Sequence, residues 1–182
     1  MLLRAETSVL VVIDMQDRLV PAMQAPARTI RNTQTLLAAA GELAIPVLLT
    51  EQYPRGLGHT VPDVLKAAEG ARAQIIEKTH FSSQSEPGFA DAIAATGRAQ
   101  AVITGMEAHI CVLQTAVALM QEDYEVFVVT DATSSRTLES EKACLDRLQA
   151  CGAGIVTTEM VVFEWLARAG TPAFKTLLPL VK

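Results

Sequence analysis

Three side chains that could act together each stand at the end of a strand-like apolar run. Asp14 closes Ser8-Val9-Leu10-Val11-Val12-Ile13, Lys78 closes Ala73-Gln74-Ile75-Ile76-Glu77, and Cys111 lies in Gly105-Met106-Glu107-Ala108-His109-Ile110-Cys111-Val112, which follows Gln100–Thr104. The helical spacing of Leu113, Ala116, Val117 and Met120 puts Cys111 where a strand turns into a helix. A helix N-terminus offers free N–H groups and partial positive charge, both of which favour a thiolate. A lysine ammonium would lower the thiol pKa further, and a carboxylate could take its proton. With backbone N–H groups to hold an oxyanion, these are the parts for acyl transfer through a thioester. Spacing alone leaves the plainer reading open, in which the cysteine is buried packing, the aspartate a cap and the lysine solvated. Strand order decides whether the three ends meet, and it is not written in the sequence.

The elements that must position them alternate regularly. Six short apolar runs read as strands: 8–13, 46–50, 73–77, 100–104, 126–130 and 154–158. Helical spacing fills 30–43, 89–94, 112–120 and 138–149, and the tail from Val161 reads as a helix, a break at Gly170-Thr171-Pro172 and a last short helix. Such alternation predicts a mostly parallel sheet with helices on both faces, because parallel neighbours need crossover connections. Ligands of such sheets bind beyond the carboxyl ends of the strands. That edge would gather Asp14, the long irregular stretch Glu51–Pro62, residues 78–83, 105–111 and 131–136. Long loops of this kind are more often functional than not.

Composition narrows the function. The 182 residues suit one compact domain, half of them are apolar, and no apolar run approaches membrane-spanning length. A net charge of -5 without a Lys/Arg cluster argues against nucleic acid as a partner. The start of the chain lacks the sections of a signal peptide, which gives a cytoplasmic expectation. Three cysteines without CxxC or Cys/His spacing indicate neither a disulfide framework nor a structural metal.

The stretches VVIDMQDRLVPAM, LLTEQYPRGLGHTVPD, IIEKTHFSS, ITGMEAHICVLQTA and VVTDATSSR, in this order and spacing, resemble the isochorismatase-like cysteine hydrolases. The resemblance covers nearly the whole chain and is nearest to the isochorismatase domain-containing proteins. It implies a three-layer α/β/α sandwich around a six-stranded parallel sheet and a catalytic triad of Asp14, Lys78 and Cys111. It also implies a cis peptide at Met106-Glu107, with the Glu107 and Cys111 N–H groups as oxyanion donors. The expected substrate is a small molecule with an amide-type C–N bond. Isochorismatases proper cleave a vinyl ether without a cysteine, which is the alternative, alongside a non-catalytic binding member. The metal-binding members carry an Asp-x-His pair and a further His, whereas this chain has Glu51-Gln52-Tyr53 and His59, so no metal and no cofactor are expected.

Gln52, Tyr53, His59, Phe81 and His109 are the expected substrate-facing residues, and His80 is a further pocket-lining candidate. Arg136 fits a substrate carboxylate or a subunit salt bridge equally well. Cys144 and Cys151, seven apart, read as core packing on one helical face. The resemblance and the high apolar fraction imply a homo-oligomer, a dimer or tetramer, with Phe163, Trp165, Leu177 and Leu178 as candidate interface residues.

Overall fold

Residues 1–182 are described by a computed structural model. β1 (Ser8–Ile13), β2 (Val47–Gln52), β3 (Gln74–Lys78), β4 (Gln100–Gly105), β5 (Glu125–Thr133) and β6 (Gly154–Val156) form one sheet, all parallel, in the order β3-β2-β1-β4-β5-β6. Every residue of β1, β2 and β4 is buried, as expected of largely apolar strands covered on both faces.

Two helical layers cover the sheet. α1 (Pro26–Glu42), α3 (Pro62–Gly70), α7 (Thr158–Leu166) and α8 (Pro172–Leu177) pack on the face that carries Leu10, Val12, Leu49, Val102 and Val129. α4 (Pro87–Ala95), α5 (Leu113–Gln121) and α6 (Leu138–Ala150) cover Val9, Val11, Ile13, Ile103 and Val128 on the other. This is the expected three-layer sandwich. Each fully buried Val, Leu or Ile in these layers contributes roughly 1.5–3 kcal/mol of apolar burial.

The chain runs outward from β1 in both directions, so β1 and β4 flank the point where strand order reverses, the usual place for a ligand crevice. Ile13 pairs with Thr50 on one side and Gly105 on the other. Gly105 has φ +114°, and a Cβ there would overlap the Ile13 carbonyl, so only glycine permits this close approach.

Several boundaries differ from the sequence reading. β5 continues to Thr133, and β6 stops at Val156 because the Thr157 side chain caps α7 by accepting the Met160 N–H. The stretch Glu51–Pro62 is less irregular than expected: β2 extends through Gln52 and a single helical turn, α2 (Pro54–Leu57), follows. α3 was not anticipated, since its only buried apolar positions are Val64 and Ala68. Two of the candidate interface residues, Trp165 and Leu177, leave little surface for a partner. Both are buried in their own chain, and the Trp165 indole donates to Ser8 Oγ at 2.9 Å. Cys144 is buried as expected, but Cys151 lies just past α6 and is exposed. No helix is long and apolar enough to cross a membrane.

Candidate active site

The strand order brings the three expected residues together. β3 and β1 are separated by β2, about 10 Å at two strand spacings, so only a long side chain at the end of β3 can reach the end of β1. Lys78 makes that crossing: its Nζ donates to Asp14 Oδ2 at 2.8 Å, and both side chains are fully buried. β2 supplies the supports in between. Thr50 Oγ1 donates to Asp14 Oδ1 at 2.7 Å, and Gln52 Oε1 accepts from Lys78 Nζ at 2.6 Å. The His80 and Phe81 carbonyls accept from the same ammonium at 3.2 and 3.4 Å. Asp14 has φ +50°, leaving the β1 pleat where its carboxylate turns to Thr50 and Lys78.

Gln16, two residues beyond Asp14, is the second support. It is fully buried, its Oε1 accepts the Gln52 N–H at 2.8 Å, and its Nε2 donates to the Gln52 and Gly58 carbonyls at 3.0 and 2.6 Å. Gln52 also donates from Nε2 to the Thr79 carbonyl at 2.8 Å. The Gln52 amide thus holds Lys78 and the Thr79 carbonyl.

Cys111 enters from the far side of the switch point. β4 ends at Gly105, the Met106-Glu107 peptide is cis, and a π-helical segment, Ala108–Val112, leads into α5. Cys111 is 5% exposed, and its thiol is close enough to Asp14 and Lys78 for the charge of each to act on it. Its pKa is pushed up to about 12, first by burial and then by the Asp14 carboxylate, with Lys78 pulling the other way. The direction is opposite to the lowering expected from the helix N-terminus and the lysine. A raised thiol pKa suits proton transfer to Asp14 as attack begins, rather than before it.

Glu107 stands beside the cysteine segment. Its N–H has no acceptor within the chain, and its nearly buried carboxylate accepts from Arg136 Nε at 2.7 Å. The Ala108 N–H donates to the Ser134 carbonyl at 2.9 Å, and Cys144 Sγ donates to the Ala108 carbonyl at 2.9 Å. His109 is half-buried, with Nδ1 2.9 Å from Ser135 Oγ.

The remaining expected residues are more peripheral. Tyr53 and Phe81 are exposed on either side of the Lys78 strand end; the Tyr53 N–H donates to the Lys78 carbonyl, while the Phe81 carbonyl accepts from Lys78 Nζ. His80 is exposed and its Nδ1 lies 3.0 Å from Glu86. His59 does not join the cluster. Its Nδ1 sits 2.9 Å from Glu51 Oε2, and strand alternation places Glu51 on the sheet face opposite to Thr50 and Gln52. Glu51 Oε1 also accepts from the Thr60 N–H and Oγ1, so this carboxylate fastens the loop. Those hydrogen bonds and the His59 charge hold the Glu51 pKa below the usual carboxylate value despite burial, and Glu51 raises that of His59. No group of three His, Cys, Asp or Glu side chains could hold a metal ion.

The family model for the isochorismatase domain matches residues 8–160, which span all six strands and every residue of this cluster. The chain belongs to the isochorismatase family. Isochorismatase domain-containing protein 2 of Danio rerio is 36% identical over 98% of this chain and 89% of its own. A solved family relative, described as the MAR1 ribonuclease of Caenorhabditis elegans, is 32% identical, has a TM-score of 0.92, and covers 100% of this chain and 92% of its own. The fold is shared at greater distance by the ycaC gene product of Escherichia coli, described as an octameric hydrolase of unknown specificity. It has a TM-score of 0.91 at 24% identity, over 98% of this chain and 90% of its own.

Sequence reasoning named Asp14, Lys78 and Cys111 but not their supports. Thr50, Gln16, Ser135 and the link from Glu107 to Arg136 were missed, although all lie within the quoted motifs. Their signal was a polar side chain in or directly after an otherwise apolar strand, where burial demands a partner.

Proposed function

We propose that the protein is a hydrolase of a small amide-type C–N bond, acting through a Cys111 thioester. The observation that carries this reading is the fully buried Lys78 to Asp14 pair at 2.8 Å, whose two charges act on the buried Cys111 thiol. A buried ion pair in itself adds little stability, because desolvation offsets its attraction. Placed beside an enclosed thiol, it has a chemical use.

Asp14 takes the thiol proton as sulfur attacks the carbonyl carbon, and Lys78 steadies the thiolate and the charged carboxylate in turn. The N–H groups of Glu107 and Cys111 receive the developing oxyanion. The C–N bond then breaks, Asp14 returns the proton to the leaving amine, and the amine departs. Water attacks the thioester with Asp14 as base, and the acid and free thiol are released. Asp14, Lys78 and Cys111 are all at most 5% exposed, which favours a small substrate bounded by Phe81, Tyr53 and His109. A working free thiol fits a reducing, cytoplasmic setting.

The ribonuclease description of one solved relative offers another substrate class. Two cations at this edge, Lys78 and Arg136, are each already paired with a carboxylate, Arg55 near Lys78 stands beside Glu77 and Glu86, and the chain carries net charge -5. None of these features suits a phosphodiester backbone. A homo-oligomer is part of the proposal, supported by exposed Leu2, Met160 and Phe163 around an apolar groove of about 760 Å³ remote from Cys111.

The test is a screen of small amides, vinyl ethers and single-stranded RNA, comparing wild type with Cys111→Ala. Amide turnover that vanishes in Cys111→Ala supports the proposal. Turnover of a vinyl ether or of RNA that persists in that variant would replace it.

A further inference from the structure

Glu107 presents a difficulty for the proposed chemistry. The same residue offers its N–H to the oxyanion and carries a carboxylate that is nearly buried, so a negative charge sits within one side-chain length of the atom where negative charge must develop. At such range, away from bulk water, like charges repel strongly. The structure supplies one neutralising group. Arg136 Nε donates to Glu107 Oε2 at 2.7 Å, while the rest of the guanidinium makes no hydrogen bond in the chain and its side chain is 58% exposed.

The segment that carries Arg136 is fixed from three directions. Gln24 Nε2 donates to the Arg136 carbonyl at 2.6 Å and the Gln24 N–H to the Ser135 carbonyl at 3.0 Å. Glu141 accepts the Ser135 N–H at 3.2 Å, and the Ser134 carbonyl takes the Ala108 N–H from the cysteine segment itself. Arg136 is thus held against Glu107 by backbone contacts that do not depend on a partner subunit. Because its charge is already matched by a buried carboxylate, it is poorly suited to attract a further anion from the substrate.

We infer that Arg136 is a positioning residue of the oxyanion pocket, whose guanidinium cancels the Glu107 carboxylate so that the Glu107 N–H can donate to a developing oxyanion. The inference rests on the thioester reading and adds a residue to it. It separates two reactions of the same thiol. Acylation passes through a tetrahedral oxyanion, whereas alkylation by iodoacetamide displaces iodide at a saturated carbon and needs no oxyanion donor.

The experiment follows Cys111 with p-nitrophenyl acetate, where the S–C bond forms, the C–O bond breaks and nitrophenolate is released as a burst. Iodoacetamide labelling is measured in parallel. Arg136→Gln is expected to slow the acylation burst about 100-fold, the scale of losing one oxyanion donor, and to change Cys111 alkylation by less than about twofold. Adding Glu107→Gln to Arg136→Gln should recover at least about tenfold of the lost burst rate, and Arg136→Lys should fall between wild type and Arg136→Gln. Equal slowing of acylation and alkylation would reduce Arg136 to loop support and overturn the inference. So would a double variant no faster than Arg136→Gln. A wild-type burst that persists in Cys111→Ala would overturn the thioester reading itself, and the inference with it.

Discussion

Lys78 and Asp14, at the ends of two strands that do not touch each other, meet at 2.8 Å across the intervening strand, with neither side chain open to solvent. Thr50 and Gln52 of that middle strand each hold one member of the pair, and the His80 and Phe81 carbonyls also face the ammonium. The consequences for stability and for reactivity can be measured separately.

Removing one member leaves the other buried and uncompensated. Lys78→Met should lower unfolding stability by about 3–5 kcal/mol, while Asp14→Asn/Lys78→Met together should recover part of the loss, since an apolar or neutral pair is tolerated where a lone charge is not. Urea unfolding of the single and double variants checks this. Equal or additive losses would show that the pair is not the isolated buried unit described.

Turnover should follow a different rule. Asp14→Asn should cost at least about 100-fold as the proton carrier is lost, and adding Lys78→Met should make matters scarcely worse, because groups acting as a unit do not contribute independently. Multiplying effects on turnover would count against one site.

The raised thiol gives an opposite sign for alkylation. Burial and the Asp14 charge hold the Cys111 pKa up to about 12, so wild-type labelling by iodoacetamide should climb with pH and reach no plateau below pH about 9. Asp14→Asn removes a raising influence and should speed labelling at neutral pH even as turnover falls. Lys78→Met removes the lowering one and should slow it. The pH dependence of peptide-resolved labelling distinguishes these cases, and slower labelling in Asp14→Asn would contradict the account.

Glu51 provides a test away from the thiol. Its pKa is lowered in the folded protein, so its contribution is present above the ordinary carboxylate value and is lost as pH falls through the lower, folded one. Glu51→Gln should therefore cost about 1–3 kcal/mol at pH 7, with the difference from wild type shrinking in acid. Urea curves across that range would show a constant gap if the Thr60 and His59 bonds were immaterial.

The sheet was legible in the sequence because its strands are buried on both faces: β1 and β4 read as largely apolar runs, Asp14 and Lys78 sit at strand ends, and Cys111 lies in the segment that follows β4. The order of strands was not, since pairing joins residues far apart in the chain, Ile13 with Gly105 for example. α3 escaped notice because two buried apolar residues make too thin a stripe to show periodicity. Cys151 was misplaced because the helical spacing from Cys144 continues on paper past the point where α6 ends at Ala150. The roles of Gln52 and His59 within the chain were not legible, because a polar residue after a strand looks free until its partners, Lys78 and Glu51, are located. The thiol pKa was read in the wrong direction for a related reason: helix position and lysine are visible in the chain, but burial and the orientation of Asp14 are not.

The most direct test of the central claim is acid-quenched peptide mass mapping during turnover of an amide found in the screen. The account expects an acyl group on the peptide that contains Cys111, formed at a rate no slower than turnover, and both adduct and turnover lost in Cys111→Ala. Undiminished amide turnover in Cys111→Ala, or turnover with the Cys111 peptide never acylated, would contradict it.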